Sequence, residues 1–294
     1  MGRVIRILGL LAGLVFSEHL FAKSMVYEIT EGKNKIYLAG TIHLLRSQDF
    51  PPPAEFDAAY QQSQKIYFET DIQIANSPEF GQRFAHAMLL PNNTTLKDVL
   101  SAATWAELQS FSEKNQFPLS QTMMFNPAMM SLLITIHEAK KIGAGDGVDV
   151  YYDKSARSDK KFTGELETAN DVIGYMKNFD LEDPNKTIKS TLSDAEFIEK
   201  DLGKMISAWK AGDLDTLEKE MGEKMRKETP NIHKALVVDR NQKWFPKIER
   251  MFESPEVEMV LVGSLHLPGK DGLLTSLKKA GYKVKPYEIK NNSR

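Results

Sequence analysis

Two of the six histidines in this chain close near-identical stretches, 223 positions apart. Lys35-Ile-Tyr-Leu-Ala-Gly-Thr-Ile-His43 and Glu258-Met-Val-Leu-Val-Gly-Ser-Leu-His266 both run through apolar residues to Gly, a small hydroxyl residue, an aliphatic residue and His. Neutral imidazole is a common ligand of divalent metals, and a nearby carboxylate is needed to complete such a site. Glu69, at the end of Lys65-Ile-Tyr-Phe-Glu, is the best-placed acid. Two His and one Glu would leave coordination positions open for water and substrate. Such an ion lowers the pKa of its water and polarises a carbonyl. A lone strand-end His is most often a satisfied hydrogen-bonding residue; it is the repetition that favours a shared metal.

Other groups with chemical potential are weaker. Lys65-Ile-Tyr-Phe-Glu-Thr-Asp71 alternates like a strand, so Glu69 and Asp71 are expected on one face and Thr70 on the other. Glu165 and Glu167 flank Leu166 just after a short strand, so both can face one mouth, or one can be a helix-start acid facing the macrodipole. Arg240 follows the apolar run Ala235 to Val238, and either grips a carboxylate or an oxyanion or forms a structural ion pair. His137-Glu138 has Lys141 where a zinc-protease helix needs its second His, no G-x-S-x-G exists, and Gly143-Ala-Gly-Asp-Gly reads as a helix-ending loop. His86 and His233 lie in polar helical sequence and are expected at the surface. The Met pairs 123–124 and 129–130 suit either a core or an adaptable apolar groove.

The elements that must position these groups are legible in outline. Runs at 26–30 and 35–39 flank Glu31-Gly-Lys-Asn and predict a hairpin. A helix is expected over Ala54 to Ser63, and from about 77 to 253 the chain reads as mainly helical. Its expected starts are Thr104-x-x-Glu107, Asn126-Pro127, Thr168-x-x-Asp171, Ser193-x-x-Glu196 and Asp213. Ala128 to Ala139 is apolar nearly all round, as in a buried helix or one facing a groove for an apolar ligand. Lys161 to Leu166, Val257 to Val262 and Tyr282 to Ile289 read as strands, with Asp271 capping the helix before the last. A short apolar strand ending in Gly and His places the His where the chain leaves a sheet, the usual place for a site in an α/β fold.

Composition bounds the class. The 294 residues support a large core, and 41% hydrophobic with 27% charged residues is ordinary globular usage. A net charge of -2 provides no broad basic field, which argues against nucleic acid as a partner. With no Cys, thiolate catalysis and Cys-ligated zinc or iron-sulfur sites are excluded. Residues 1–24 carry Arg3 and Arg6, an apolar run Ile7 to Phe16, and an Ala-Lys-Ser sequence ending at Ser24. That is the layout of a bacterial signal peptide, so residues 25–294 are expected as a periplasmic or secreted protein that meets the membrane only through this signal.

Taken together, Gly40-Thr-Ile-His43, Phe68-Glu-Thr-Asp71, Gly147-Val-Asp149, Gly164-Glu-Leu-Glu-Thr168, Arg240-Asn241 and Gly263-Ser-Leu-His266-Leu-Pro-Gly269 resemble the TraB/GumN family, which includes the Tiki proteases. The resemblance runs from about residue 26 to 289. It implies His43, Glu69 and His266 as metal-site residues with Arg240 in support, and an ion of manganese or cobalt; the donor types themselves leave zinc open as well. It also implies a fold akin to the erythromycin-esterase and ChaN-like group. The expectation is one α/β domain, with a mixed sheet built from both chain ends and a large helical insertion, about 77–253, over the site. The twin strand-Gly-x-x-His units suggest pseudo-twofold halves. The expected function is an exported metal-dependent hydrolase, a peptidase on extended peptides, with Asp71 or Glu165 as general base and Arg240 stabilising the oxyanion. The alternative is a non-catalytic protein that binds or sequesters a peptide or small molecule. The oligomeric state is left open.

Overall fold

The computed structural model describes residues 24–177 and 182–289 of the chain. The expected signal peptide, residues 1–24, lies outside them except for Ser24. The chain opens with the expected hairpin, β1 (Val26–Glu31) against β2 (Asn34–Thr41), turning at Gly32 with φ +57°. That angle lies in the left-handed region, where only Gly avoids a Cβ penalty. Six further strands follow: β3 (Leu44–Arg46), β4 (Lys65–Phe68), β5 (Ala144–Asp146), β6 (Phe162–Glu165), β7 (Glu258–Gly263) and β8 (Lys283–Pro286).

The main sheet has the order β6-β4-β7-β2-β1-β8. Strands β2, β7, β4 and β6 are mutually parallel, while β1 runs against both β2 and β8. It is the mixed sheet expected from both chain ends, with β6 added from the helical middle. Strand β7 is buried along its whole length because it has a strand on either side and helices on both faces. That is why its sequence is a continuous apolar run rather than an alternating one.

The two faces divide by strand alternation. Tyr37, Ala39, Ile66, Phe68, Met259 and Leu261 pack with Phe56, Ala59 and Tyr60 of the helix Ala54–Gln62 and with Trp209. Ile36, Leu38, Val260 and Val262 face the other way, onto Leu273, Leu274 and Leu277 of the helix Leu273–Lys279 and onto Trp244 and Ile248. Each fully buried large side chain contributes roughly 1.5–3 kcal/mol. Thus β2 and β7 lie side by side, and the helices that follow them cover opposite faces. A twofold axis along the strands produces that arrangement, and Gly40 and Gly263 share one sheet as twin halves require.

A separate helical core gathers Leu96, Leu108, Met130, Ile134 and Ile188. The helix Pro127–Lys141 starts as expected, with Asn126 Oδ1 accepting from Met129 N at 2.9 Å. Its buried residues divide between this core, which takes Met130 and Ile134, and the sheet core, which takes Ala139. Three expected caps differ. Ser101, not Thr104, caps the helix Ala102–Asn115; Ser193 lies inside the helix Pro184–Glu196, which Asp183 caps; and Gly272, not Asp271, precedes Leu273–Lys279. In the first two the local pattern is present, but a cap further upstream lengthens the helix by one or more turns. The Gly143–Gly147 loop also contains a surprise: β5 pairs antiparallel with β3, just after His43. No helix among the described residues is long and apolar enough to cross a membrane.

Candidate metal centre

Because β4, β7 and β2 are adjacent and parallel, their carboxyl ends open at one edge of the sheet. His43 stands just beyond β2, Glu69 directly after β4, and His266 at the end of the turn Ser264–His266 that follows β7. Both imidazoles point their Nε2 atoms at the same carboxylate oxygen. Glu69 Oε1 is 3.9 Å from His43 Nε2 and 3.7 Å from His266 Nε2.

Hydrogen bonds fix which ring nitrogen carries the proton. Asn241 Nδ2 donates to the carbonyls of His266 and Asp271, at 3.2 and 2.9 Å. Its Oδ1 is therefore the atom that accepts from His266 Nδ1 at 2.7 Å, and the lone pair is left on Nε2. His43 Nδ1 donates to Asp149 Oδ2, also at 2.7 Å. Anchoring Nδ1 on an oxygen is how a metal-ligating His is usually oriented and made more basic.

Asp149 reaches His43 because the helix Val148–Ser158 starts against the end of β2. Val148 N donates to Ile42 O at 3.0 Å. At Gly147 a Cβ would lie 2.2 Å from Ile42 O and 2.4 Å from the His43 carbonyl carbon, so only Gly permits this approach. The β3–β5 ribbon brings the two segments together.

Glu69 is held from two sides. Its Oε1 accepts from Gly263 N at 2.6 Å, and its Oε2 pairs with Arg240 Nη2. Arg240 is also bound by Glu167, through Nε at 3.1 and 3.2 Å and Nη2 at 2.6 Å. Glu167 in turn accepts from Trp244 Nε1 at 2.8 Å. The helix Asp239–Arg250 supplies Arg240, Asn241 and Trp244 from adjoining positions, with the guanidinium 4.5 Å over the Trp244 ring. The remaining Arg240 nitrogen, Nη1, lies 3.4 Å from His266 Nε2.

These surroundings set the two histidines apart. The charge of Asp149 raises His43 to about 9, against desolvation that opposes it. Burial lowers His266 to about 3 despite the pull of Glu69, with Arg240 and His43 pushing the same way as burial. Desolvation would raise Glu69, but Arg240 and both histidines overcome it and hold the carboxyl far below its usual range. Desolvation likewise works against the Arg240 charge and is outweighed by Glu69 and Glu167. Burial raises Glu167, with Arg240 opposing.

Among the described residues no three His, Asp or Glu side chains stand close enough together to hold a metal ion as placed. Glu69 Oε1 lies 3.7–3.9 Å from the two imidazole Nε2 atoms, at the long end of the about 3–4 Å that metal bonds of about 2.0–2.2 Å give to donors sharing one ion. A Cβ built on Gly263 would lie 3.2 Å from both Glu69 Oε1 and His43 Nε2 and 3.6 Å from His266 Cδ2. The glycine therefore keeps clear a point beside Glu69 Oε1, His43 Nε2 and the edge of the His266 ring. Above it is a cavity of about 270 Å³, walled by Met205, Leu217, Met221, Met225, Leu236 and Val237 and floored by His43, Arg240 and His266.

His43, Glu69, His266 and Arg240 come together as expected; Asp71 and Glu165 do not join them. Strand β4 ends at Phe68, so the alternation that would have put Asp71 beside Glu69 stops. Asp71 instead caps the turn Ile72–Ala75, accepting from Gln73 N and Ile74 N, and Glu165 accepts from Asp71 N at 3.1 Å. Both line a neighbouring cavity with Asp153 and Arg157. Among the described residues neither bonds to the two imidazoles or to Glu69. Of the acids flanking Leu166, it is Glu167 that reaches the site, led there by Glu167 N donating to Glu69 O at 2.8 Å. His86 is exposed as expected, but His233 is buried, packed near Glu218, Arg226 and Asp271. Asp149, Asn241 and Trp244 received no role from residue type alone; for Asp149 and Asn241 the signal was their place in Gly147-Val-Asp149 and Arg240-Asn241.

Fold and site define an α/β protein with two strand-end histidines and one strand-end carboxylate at the open edge of a mixed sheet. Residues 25–286 match the TraB/PrgY/gumN family, and the chain belongs to it. Comparison with curated proteins and with solved structures gave no match.

Proposed function

We propose that the protein is a metal-dependent hydrolase, a peptidase acting on extended peptides, exported by residues 1–24. The observation that carries this reading is the pair of anchored imidazoles: each Nδ1 is tied to an oxygen acceptor, which frees both Nε2 atoms to face Glu69. His43, Glu69 and His266 would hold the ion, and a bound manganese, cobalt or zinc would polarise a carbonyl and make water nucleophilic near neutral pH. Asp149 and Asn241 hold the rings in register. Arg240, gripped by Glu167 and stacked on Trp244, has Nη1 within hydrogen-bond reach of His266 Nε2 at 3.4 Å; with that nitrogen on an ion, Nη1 would be the donor for developing negative charge on a carbonyl oxygen. Asp71 and Glu165 bond elsewhere, so the role of base is not assigned to them.

The apolar cavity favours a second reading, a non-catalytic module that binds a peptide or small molecule. Digestion of a peptide library with and without added manganese, cobalt or zinc separates the two. Metal-dependent cleavage by wild type that is absent in His43→Ala supports the hydrolase; peptide retention without cleavage under any metal supports the binding module. For export, the mature chain should begin near Lys23 or Met25 in the periplasmic fraction. N-terminal sequencing that reads Met1-Gly2 from membranes would contradict it.

A further inference from the structure

We infer that the cavity above His43 and His266 is a side-chain pocket that selects a large apolar residue, Leu, Met or Phe, next to the peptide bond presented to the site. The inference rests on the reading of this site as peptide-handling and adds its specificity. Met205, Met221, Met225 and Leu236 are each only half-buried, and all four line this one cavity. Their incompletely covered apolar surface is satisfied by an apolar guest. At about 270 Å³ the space is just below the range of small-molecule pockets, so it holds a single large side chain rather than a folded segment.

The backbone is built for it. Glu218–Glu223 and Lys234–Val238 are π-helical, and each contributes to the wall, Met221 from the first and Leu236 with Val237 from the second. Leu236 and Val237, adjacent in the second, both line the cavity. Such turns are unfavourable and cluster at functional sites. Thr41, which also lines the cavity, is 2% exposed, and its Oγ1 is buried with no hydrogen-bond partner among the described residues. The methionine wall adapts to shape, so the pocket should discriminate by size and polarity more than by outline.

The test uses one proteome-derived peptide library in two arms, cleavage by the manganese-loaded full chain and retention by the chelator-treated chain, read by mass spectrometry. Leu, Met or Phe should be enriched at one position over Ala, Asp and Lys by at least roughly tenfold in whichever arm responds. Leu236→Trp, which fills the cavity, should abolish the enrichment, and Leu236→Ala should move it towards Phe and Trp, with melting curves confirming that both variants fold. Retained peptides with the enrichment but without metal-dependent cleavage would uphold the pocket and overturn the hydrolase. Metal-dependent cleavage with a flat profile, or a profile unchanged in Leu236→Trp, would overturn the pocket and leave the hydrolase standing.

Discussion

The two Gly-x-x-His units begin as copies and end as opposites. His43 keeps 59% of its side chain exposed, leans on a carboxylate and is held protonated well into the alkaline range; His266 keeps 6%, leans on an amide and stays neutral far into acid. The glycines diverge too. A Cβ at Gly40 would press on Leu267 Cδ1 at 2.7 Å and Ser264 Cα at 3.2 Å, whereas one at Gly263 would enter the space between the donors. Local sequence repeats the strand and the turn, but the second residue that anchors each ring comes from unrelated parts of the chain. A repeated motif therefore gives matched geometry without matched electrostatics. One imidazole is a permanent lone pair, and the other is a lone pair gated by a proton.

The strongest way to break the comparison is to remove either ring. His43→Ala and His266→Ala should each lower manganese, cobalt or zinc affinity by about 100-fold or more in calorimetric titration, since even loss of an orienting partner costs about 10- to 100-fold. Undiminished binding in either would leave the paired units as structural repeats. The orienting partners come next. Asp149→Asn and Asn241→Leu should each cost about 10- to 100-fold in affinity. Only Asn241→Leu should also destabilise the fold, by about 1–3 kcal/mol in urea, because it unpairs the buried carbonyl of His266 and the half-buried one of Asp271.

Proton linkage sharpens the contrast. In the metal-free protein His43 binds a proton more tightly when folded, so its contribution to stability is complete below about pH 6.5 and disappears as pH rises to about 9. His266 is the reverse: it favours the fold above about pH 6.5 and that contribution is lost as pH falls towards about 3. Imidazole NMR titration should show His43 still charged at pH 8 and His266 neutral at pH 5. Metal binding should consequently release one proton below pH 9, and weaken about tenfold per pH unit on the acid side, a limb that starts near 9 rather than at the free-imidazole value of about 6.5. Asp149→Asn should move that limb down; a limb that stays put would show Asp149 has no hold on the His43 proton.

Smaller effects separate the glycines. Gly40→Ala should cost about 1–3 kcal/mol of stability through overpacking, while Gly263→Ala should weaken metal binding roughly tenfold with little change in Tm. Equal losses of stability in the two would erase the distinction drawn here. His86→Ala, exposed and remote from both units, should stay within about 0.5 kcal/mol of wild type by thermal melt and bind metal unchanged.

Sequence by itself determined much of the frame. The apolar runs that form β2, β4 and β7, the Gly/Asn turn at residue 32, the Asn126, Thr168 and Asp213 caps and the two strand-end histidines are local features, read from periodicity and turn chemistry within a few residues. Tertiary structure alone decided which further acids join the histidines and Glu69. Glu69 meets an arginine 171 positions away and His43 an aspartate 106 positions away, separations over which no local periodicity operates. The end of β4 at Phe68 turned Asp71 from site acid to helix cap, and the continued pairing past β4 and β6 chose Glu167 over Glu165. The apolar cavity, too, came from helices over 205–237 rather than from the apolar helix of 127–141, because hydrophobic pattern says that a face is buried but not against what.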